Sequence, residues 1–405
     1  MIAINDVSVF SGVRTPFYYY DMELFDKTAS FAAALSAEYG IKIDYAVKAN
    51  SDVRMLKKLA SMGFGADCVS GNEVLLAYGC GFEPSEIMFA GVGKNDKEIY
   101  DALKTGIGSF NCESLEELSV INAMAGHLGV RANVSLRINP NIDAHTHKYV
   151  TTGLYENKFG ISEHDFDAAV SLIKQSRYLD FKGLQFHIGS QIVRIDDVYA
   201  LECRRAGDIV SYFENKGLEV RNIDLGGGLG IDYECPDKYP VADFRTWFSV
   251  IDSNLPRRKD QTVYVEPGRS MVAQCGSLIS RVLYLKKGET KNFLIIDAGM
   301  NDLIRPALYG AYHKIENITA FYVRKDDTDD FVYDIAGPVC ESSDVFGTGR
   351  SLRKSMRGDL IAIRSAGAYG KVMASGYNCK DFAPVVYSDR LSEAPVRIDY
   401  FNKNK

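Results

Sequence analysis

Between residues 43 and 265 the chain alternates short apolar runs with longer amphipathic stretches. The runs are 43–47, 65–69, 87–90, 107–110, 133–138, 183–188, 222–225 and 262–266. They lack the apolar–polar alternation of a half-exposed sheet, which fits strands covered on both faces. The stretches between them have helical texture: Asn72–Tyr78 is one, and Ser114–His127 repeats Leu115, Leu118, Ile121 and Met124 at helical spacing. A further helix over Asp26–Tyr39 precedes the first run. Repeated strand–helix alternation of this kind predicts an α/β fold with a parallel sheet closed as a (β/α)8 TIM barrel. An open, doubly wound sheet is the alternative that the same pattern allows.

Beyond about residue 270 the texture changes. LISRVLYLKKG, KNFLIIDAGM, NITAFYV, FVYDIAG, DLIAIRSAGAY and PVRIDY are short β-type runs separated by Gly, Asp and Lys clusters. They predict a C-terminal all-β domain, a β-barrel or sandwich. Residues 1–24, with VSVFSG and TPFYYYD, are also β-like and are expected to add an N-terminal strand to it. The expected division is therefore a barrel over 25–270 and a β-domain from 1–24 plus 271–405. Residues 139–162 form a long polar loop after the fifth run. Its aromatics Tyr149, Tyr155 and Phe159 favour a lid over a disordered insertion.

Composition narrows the picture mainly by exclusion. The 405-residue chain carries a net charge of −6, which argues against a nucleic-acid or anionic-membrane partner. No apolar run is long enough for a membrane span, and the start, MIAINDVSVF, lacks the pattern of a secretory signal. Eight cysteines are scattered without a C-x-x-C pair, as expected of free thiols in the cytoplasm. These features predict a soluble cytoplasmic enzyme.

Barrel enzymes place their chemistry where strands end, at the C-terminal face. The residues there are Lys48, Asp67 and Ser70, then Arg137 and Asn139, then His187 and Ser190 in HIGSQ. Next come Gly226, Gly227 and Gly228 in DLGGGLG, and Glu266, Gly268 and Arg269 in EPGRS. Lys48 is either a solvated charge or, desolvated in the barrel mouth, a Schiff-base nucleophile. The triple glycine is either a tight turn or a phosphate cradle; its spacing does not fit the dinucleotide pattern. His187 alone makes a weak metal site, as do His145 and His147 on the loop, so no metal is expected. A flat His187 ring suits stacking on a cofactor. A lysine, a glycine nest and a carboxylate for a pyridinium nitrogen are together what pyridoxal phosphate requires. The β-domain adds Asp297, Arg305, Tyr309, Cys340, Glu341 and Tyr369. Each has a purely structural reading, but two arginines, Arg269 and Arg305, suggest a ligand bearing carboxylates.

With YAVKAN, HIGSQ, GGGLG and EPGR, the chain resembles the fold-type III pyridoxal-phosphate decarboxylases from TPFYYYD to GYN at 376–378. TTGLYENKFGI, RPALYG and GPVCESSD narrow the resemblance to the branch acting on meso-2,6-diaminopimelate. The resemblance implies decarboxylation to L-lysine and CO2, the last step of lysine biosynthesis. It also implies roles. Lys48 would hold the cofactor, Glu266 would face the pyridine nitrogen and His187 would stack on the ring. Asp67 falls in the cofactor site. Ser190, Gly227, Gly228, Gly268, Arg269 and Tyr369 would bind the phosphate end. Arg269, Arg305, Tyr309, Glu341 and Tyr369 would hold the substrate, and Cys340 would protonate it. In this family Cys340 and Glu341 come from the neighbouring subunit, so a homodimer is implied. The segment CKDFAPVV after Asn378 departs from the family's Arg-Pro-rich pattern. The alternatives are a decarboxylase of a carboxylated polyamine precursor of the carboxynorspermidine type, a non-catalytic cofactor-binding relative, and a racemase.

Overall fold

A computed structural model describes residues 7–142, 158–326 and 328–398. The chain divides into two compact units: Ala29–Gly230 with Ala242–Met271, and Met1–Thr28 with Ile231–Val241 and Val272–Lys405.

Chain order begins with β1 (Phe17–Tyr20) and α1 (Met22–Tyr39), and the first unit is then built from strand–helix pairs. These are β2 (Ile41–Ala46), α2 (Val53–Ser61), β3 (Gly65–Cys68), α3 (Gly71–Gly79), β4 (Ile87–Phe89), α4 (Asp96–Thr105), β5 (Ser109–Cys112) and α5 (Leu115–Leu128). β6 (Ala132–Arg137), α6 (Phe166–Gln175), β7 (Leu179–Gln185), α7 (Ile195–Asn215), β8 (Asn222–Asp224), α8 (Phe244–Asn254) and β9 (Thr262–Val265) complete it. β2 to β9 are all parallel, and β9 pairs back onto β2, so the sheet closes as a barrel. The open-sheet alternative is thereby excluded.

Local chemistry sets the helix starts. Asn95 and Glu98 form a reciprocal capping box on α4, and Ser70 and Ser114 cap α3 and α5. α1 begins four residues before the expected Asp26, because the Asp21 carboxylate accepts the Leu24 N–H and holds the first turn.

The second unit is an antiparallel-dominated sheet. It contains β10 (Gly276–Lys287), β11 (Asn292–Ile296), β12 (Ile315–Asn317), β13 (Asp330–Ala336), β14 (Val345–Arg353), β15 (Leu360–Ile363) and β16 (Val385–Tyr387). The order is β12-β15-β10-β11-β13-β14, with β1 paired to both β10 and β16. One core joins both chain ends: Phe10, Phe17 and Tyr19 pack with Ile279, Leu360 and Val386.

Three expected β runs are not strands. Residues 7–10 form a 3-10 turn, and Val396 makes only a single bridge to Val13, with residues 399–400 outside the described part. Ile318–Tyr322 is a short helix, because the Asn317 side chain accepts the Ala320 N–H while its amide donates to Ser355 and Asp359. Among the described residues no helix is long and apolar enough to cross a membrane. Most of the expected lid, with His145, His147, Tyr149 and Tyr155, lies outside the described residues.

α7 presents Tyr199, Glu202, Cys203, Ala206, Val210 and Phe213 as its buried stripe and packs on α8. Glu202 is fully buried, and neither carboxylate oxygen meets a hydrogen-bond partner among the described residues. Burial, and then the Glu266 carboxylate, raise its pKa well above the ordinary 4.5. The folded state therefore keeps a proton that the unfolded chain releases, and stability is lost as pH rises above about 4.5. Replacing Glu202 with Gln removes that loss. Urea unfolding should show Glu202→Gln gaining on the parent from pH 5 to pH 8, by up to about 1.4 kcal/mol per pH unit. Parallel pH profiles would contradict the assignment.

Candidate active site

The barrel unit gathers its chemistry at the ends of β2, β3, β7, β8 and β9. Lys48 lies in the 3-10 turn Val47–Ala49 that ends β2, and its Nζ sits 2.8 Å from Asp67 Oδ2 at the end of β3. Asp67 is fully buried, while the lysine side chain is 35% exposed. The expected apolar surround is thus replaced by an ion pair, with one carboxylate oriented on the amine. The segment after β9 packs against this turn: a Cβ on Gly268 would lie 2.9 Å from Ala49 Cβ and 3.0 Å from Ala46 Cβ. Only glycine lets the two segments approach so closely.

The triple glycine follows β8. A Cβ at Gly227 would meet the Glu266 carbonyl at 2.1 Å, and Gly228 has φ +106°. Four bonds hold this run. Gly226 donates to Asp224 Oδ1, the Gly226 carbonyl accepts from the Glu266 N–H, Gly227 donates to His187 Nδ1, and Tyr199 donates to the Gly227 carbonyl. The neighbouring HIGSQ loop pairs with it, since the Ile192 N–H donates to the Gly228 carbonyl and Gly230 N–H returns to the Ile192 carbonyl. Arg269 Nη2 donates to Ser190 Oγ at 2.8 Å, tying that loop to the residue after Gly268.

Because His187 Nδ1 accepts from Gly227, the imidazole proton resides on Nε2. Burial first, then the charges of Lys48 and Arg137, lower its pKa well below 6.5. A neutral ring anchored this way is suited to lying flat against a ligand.

Glu266 is buried; Gln185 Nε2 donates to its Oε2 at 3.1 Å. Burial raises its pKa, and the neighbouring Asp224 and Asp67 carboxylates raise it further, with Lys48 opposing. A buried acid hydrogen-bonded to the Asp224 carboxyl and crowded by Asp67 fits a protonated ring nitrogen, whose charge would relieve that repulsion. With the Gly226 and Gly227 N–H groups bonded to Asp224 and His187, the Gly228 backbone and the adjoining Ser190 and Arg269 side chains are the groups suited to a phosphate. The residues present therefore fit pyridoxal phosphate. Sequence reasoning missed Gln185, Asp224 and Tyr199; the period of α7 carries the signal for Tyr199, and nothing local marks the other two. Arg137, named at its strand end, makes a buried ion pair with Glu113 and stacks on Phe159.

The β unit holds the other candidates. Arg305 opens the one-turn helix Arg305–Tyr309 and is buried against the Tyr233 hydroxyl at 3.1 Å and His313 Nε2 at 2.8 Å. His313 Nδ1 faces the Arg364 carbonyl, which fixes that nitrogen as donor and Nε2 as acceptor. Tyr233 and His313 were not singled out from sequence. Cys340 and Glu341 are exposed, on a loop whose shape is set by Asp344 accepting the Met300 and Val339 N–H groups. Asn378 Nδ2 lies 3.3 Å from Cys340 Sγ, and the Tyr377 hydroxyl donates to Glu341 at 2.7 Å. That carboxylate pushes Tyr377 up to about 12. Tyr369 and Asn378 have φ of 55° and 57°, backbone held in the left-handed region. Asp297 stands apart from this group: it accepts from Thr15, Ser280 and the Arg281 N–H, a structural role.

Residues 23–273 match the family described as pyridoxal-dependent decarboxylase, pyridoxal binding domain. A diaminopimelate decarboxylase from Bacteroides thetaiotaomicron is 49% identical over 96% of this chain and 100% of its own length. One from Helicobacter pylori is 42% identical over 97% of this chain and 94% of its own. The crystal structure of a Helicobacter pylori diaminopimelate decarboxylase complexed with L-lysine superposes with a TM-score of 0.85 at 40% identity, covering 94% of this chain and 93% of that one. The chain belongs to the pyridoxal-dependent decarboxylases, in their diaminopimelate decarboxylase branch.

Proposed function

We propose that the protein removes CO2 from meso-2,6-diaminopimelate to give L-lysine, closing lysine biosynthesis, with pyridoxal phosphate held by the barrel. The observation that carries this is the barrel-mouth set in which the Lys48 amine, the glycine run and the buried Glu266 carboxyl are built from adjoining strand ends. Pyridoxal phosphate, when bound, supplies an aldehyde for the amine and a sink for the electron pair that CO2 leaves behind.

The chain's own residues do the rest. Lys48 Nζ is the amine that would hold the cofactor at its aldehyde. Asp67 orients that amine. Glu266 Oε1 keeps a proton at the ring nitrogen, which makes the sink effective. Neutral His187 would face the ring, and Ser190, Gly227, Gly228, Gly268, Arg269 and Tyr369 would hold the phosphate end. Cys340 Sγ gives its proton to the carbon that lost CO2, and solvent returns one to the thiolate. Arg269, Arg305, Tyr309, Tyr369 and Glu341 fix the distal amino-acid end of the substrate. A substrate lacking the distal carboxylate forgoes the charge-assisted bonds to these arginines, which disfavours ornithine-like amines.

We further propose a homodimer in which Cys340 and Glu341 serve the neighbouring chain. Their exposure in the single chain supports this. A cytoplasmic location is supported by eight cysteines that are all free.

Lys48→Ala should lose the absorbance of the lysine-linked cofactor and all turnover; retained absorbance would remove Lys48 from its role. CO2 release from meso-diaminopimelate but not from carboxynorspermidine is expected, and the reverse preference would overturn the substrate assignment. For Cys340→Ala, cofactor absorbance should persist while kcat falls about 100- to 10,000-fold. Mixing inactive Lys48→Ala and Cys340→Ala chains should restore about a quarter of parent activity, because hybrid dimers rebuild one intact site of two. No recovery on mixing, with hybrids verified by mass, would argue against shared sites. Tyr199→Phe should weaken cofactor binding about fivefold through the loosened Gly227 carbonyl; unchanged affinity would show that bond to be dispensable.

A further inference from the structure

The β unit contains a cavity of about 490 Å³ whose lining is dominated by arginine. Five segments wall it among the described residues: Arg14 and Thr15, Arg281–Leu283 on β10, Asp297 after β11, the turn Arg357–Gly358, and Arg397–Ile398. The two chain-end segments are pinned together, since Arg14 N–H donates to the Pro395 carbonyl and Arg397 N–H to the Gly12 carbonyl. Among the described residues, four arginines thus face one lining carboxylate, Asp297. That carboxylate already accepts from Thr15 Oγ1, Ser280 Oγ and the Arg281 N–H. Arg14 has a second partner in Asp381, but that pair is exposed, with side chains 62% and 81% accessible, and is weakly held.

Arg281 is the telling member. Its Nη1 donates to the Gly358 carbonyl at 2.9 Å, but Nε and Nη2 are buried and have no acceptor among the described residues. Burial first, and then the Arg397 charge, lower its pKa below the usual guanidinium range, with Asp297 opposing them. Arg357 is held on the cavity's edge by the Leu283 carbonyl and the Tyr284 ring. A surface stabilised for its own sake would place carboxylates here, and the chain has them to spare at a net charge of −6.

We propose that this cavity is a binding site for a small polyanion carrying a pyrophosphate group. Planar guanidinium forks match phosphoryl oxygens in pairs, and the cavity is too large for a single orthophosphate yet within the range of small-ligand sites. Among the described residues the lining offers no aromatic face for a base, so recognition rests on the phosphoryl groups, whether they arrive as free pyrophosphate or at the end of a nucleotide. None of these residues takes part in the proposed decarboxylation.

Titration calorimetry on protein saturated with pyridoxal phosphate, which fills the glycine cradle, tests the site. Pyrophosphate should bind once per chain and weaken as salt is raised. Arg281→Gln and the exposed Arg357→Gln should each lower its affinity at least about tenfold while leaving basal decarboxylation unchanged. Should Arg281→Gln fold poorly, Arg357→Gln together with Arg14→Gln decides the matter. Adenosine diphosphate binding more tightly than pyrophosphate would identify a nucleotide as the source; equal or weaker binding would identify pyrophosphate itself. No binding by the parent at millimolar pyrophosphate, unchanged affinity in the variants, or succinate binding as tightly would overturn the proposal.

Discussion

The barrel's function rests on a steric constraint at Gly226–Gly228. This run threads between the carbonyls of Phe186, Gly189 and Glu266 so tightly that a side chain at any of the three would lie within 2.6 Å of a carbonyl oxygen. The crowding lets β7, β8 and β9 end side by side, and so sets His187 and Glu266 on either side of one backbone loop. The Tyr199 hydroxyl and the His187 imidazole occupy polar groups of the loop that would otherwise lie buried and unpaired. Helix α7 is therefore part of the site, although no atom of it need touch a ligand.

The fold was largely readable because a parallel barrel writes itself as unbroken apolar runs, and because the chemistry of such a barrel gathers where those runs stop. Lys48, His187 and Glu266 stand at strand ends for that reason. The interior acids were illegible. Asp44, Asp224 and Glu202 sit among apolar neighbours as single charges, and a single charge in an apolar stretch ordinarily reads as a solvent-facing position. Glu202 is the instructive case. Arg204 and Arg205 follow it and make the helix look polar, yet its spacing from Tyr199 and Ala206 puts it on the buried stripe.

The β unit was harder to read for a different reason. Its strands reach twelve residues in β10, so length is no obstacle; side-chain bonds override the local propensity of some of its β-like segments. Asn317 converts a β-branched and aromatic segment into a helix, and Asp344 folds the loop that carries Cys340 by collecting backbone donors. The Asn317 cap and the Asp344–Val339 bond are local, but the Ser355 and Asp359 contacts that fix Asn317 and the Met300 bond to Asp344 span 38 to 44 residues, beyond any local window.

The interleaving of the chain ends has a bearing on synthesis. β1, near the start of the chain, pairs with β10 and with β16, and these lie beyond the whole barrel. A ribosome moving from start to finish releases every barrel strand before β16 exists, so the barrel has its full complement of partners while Phe17–Tyr20 still waits for half of its own. The waiting strand is wholly tyrosine and phenylalanine. An aromatic edge held open for that interval is the natural place for a chaperone, or for another nascent copy, to engage this protein.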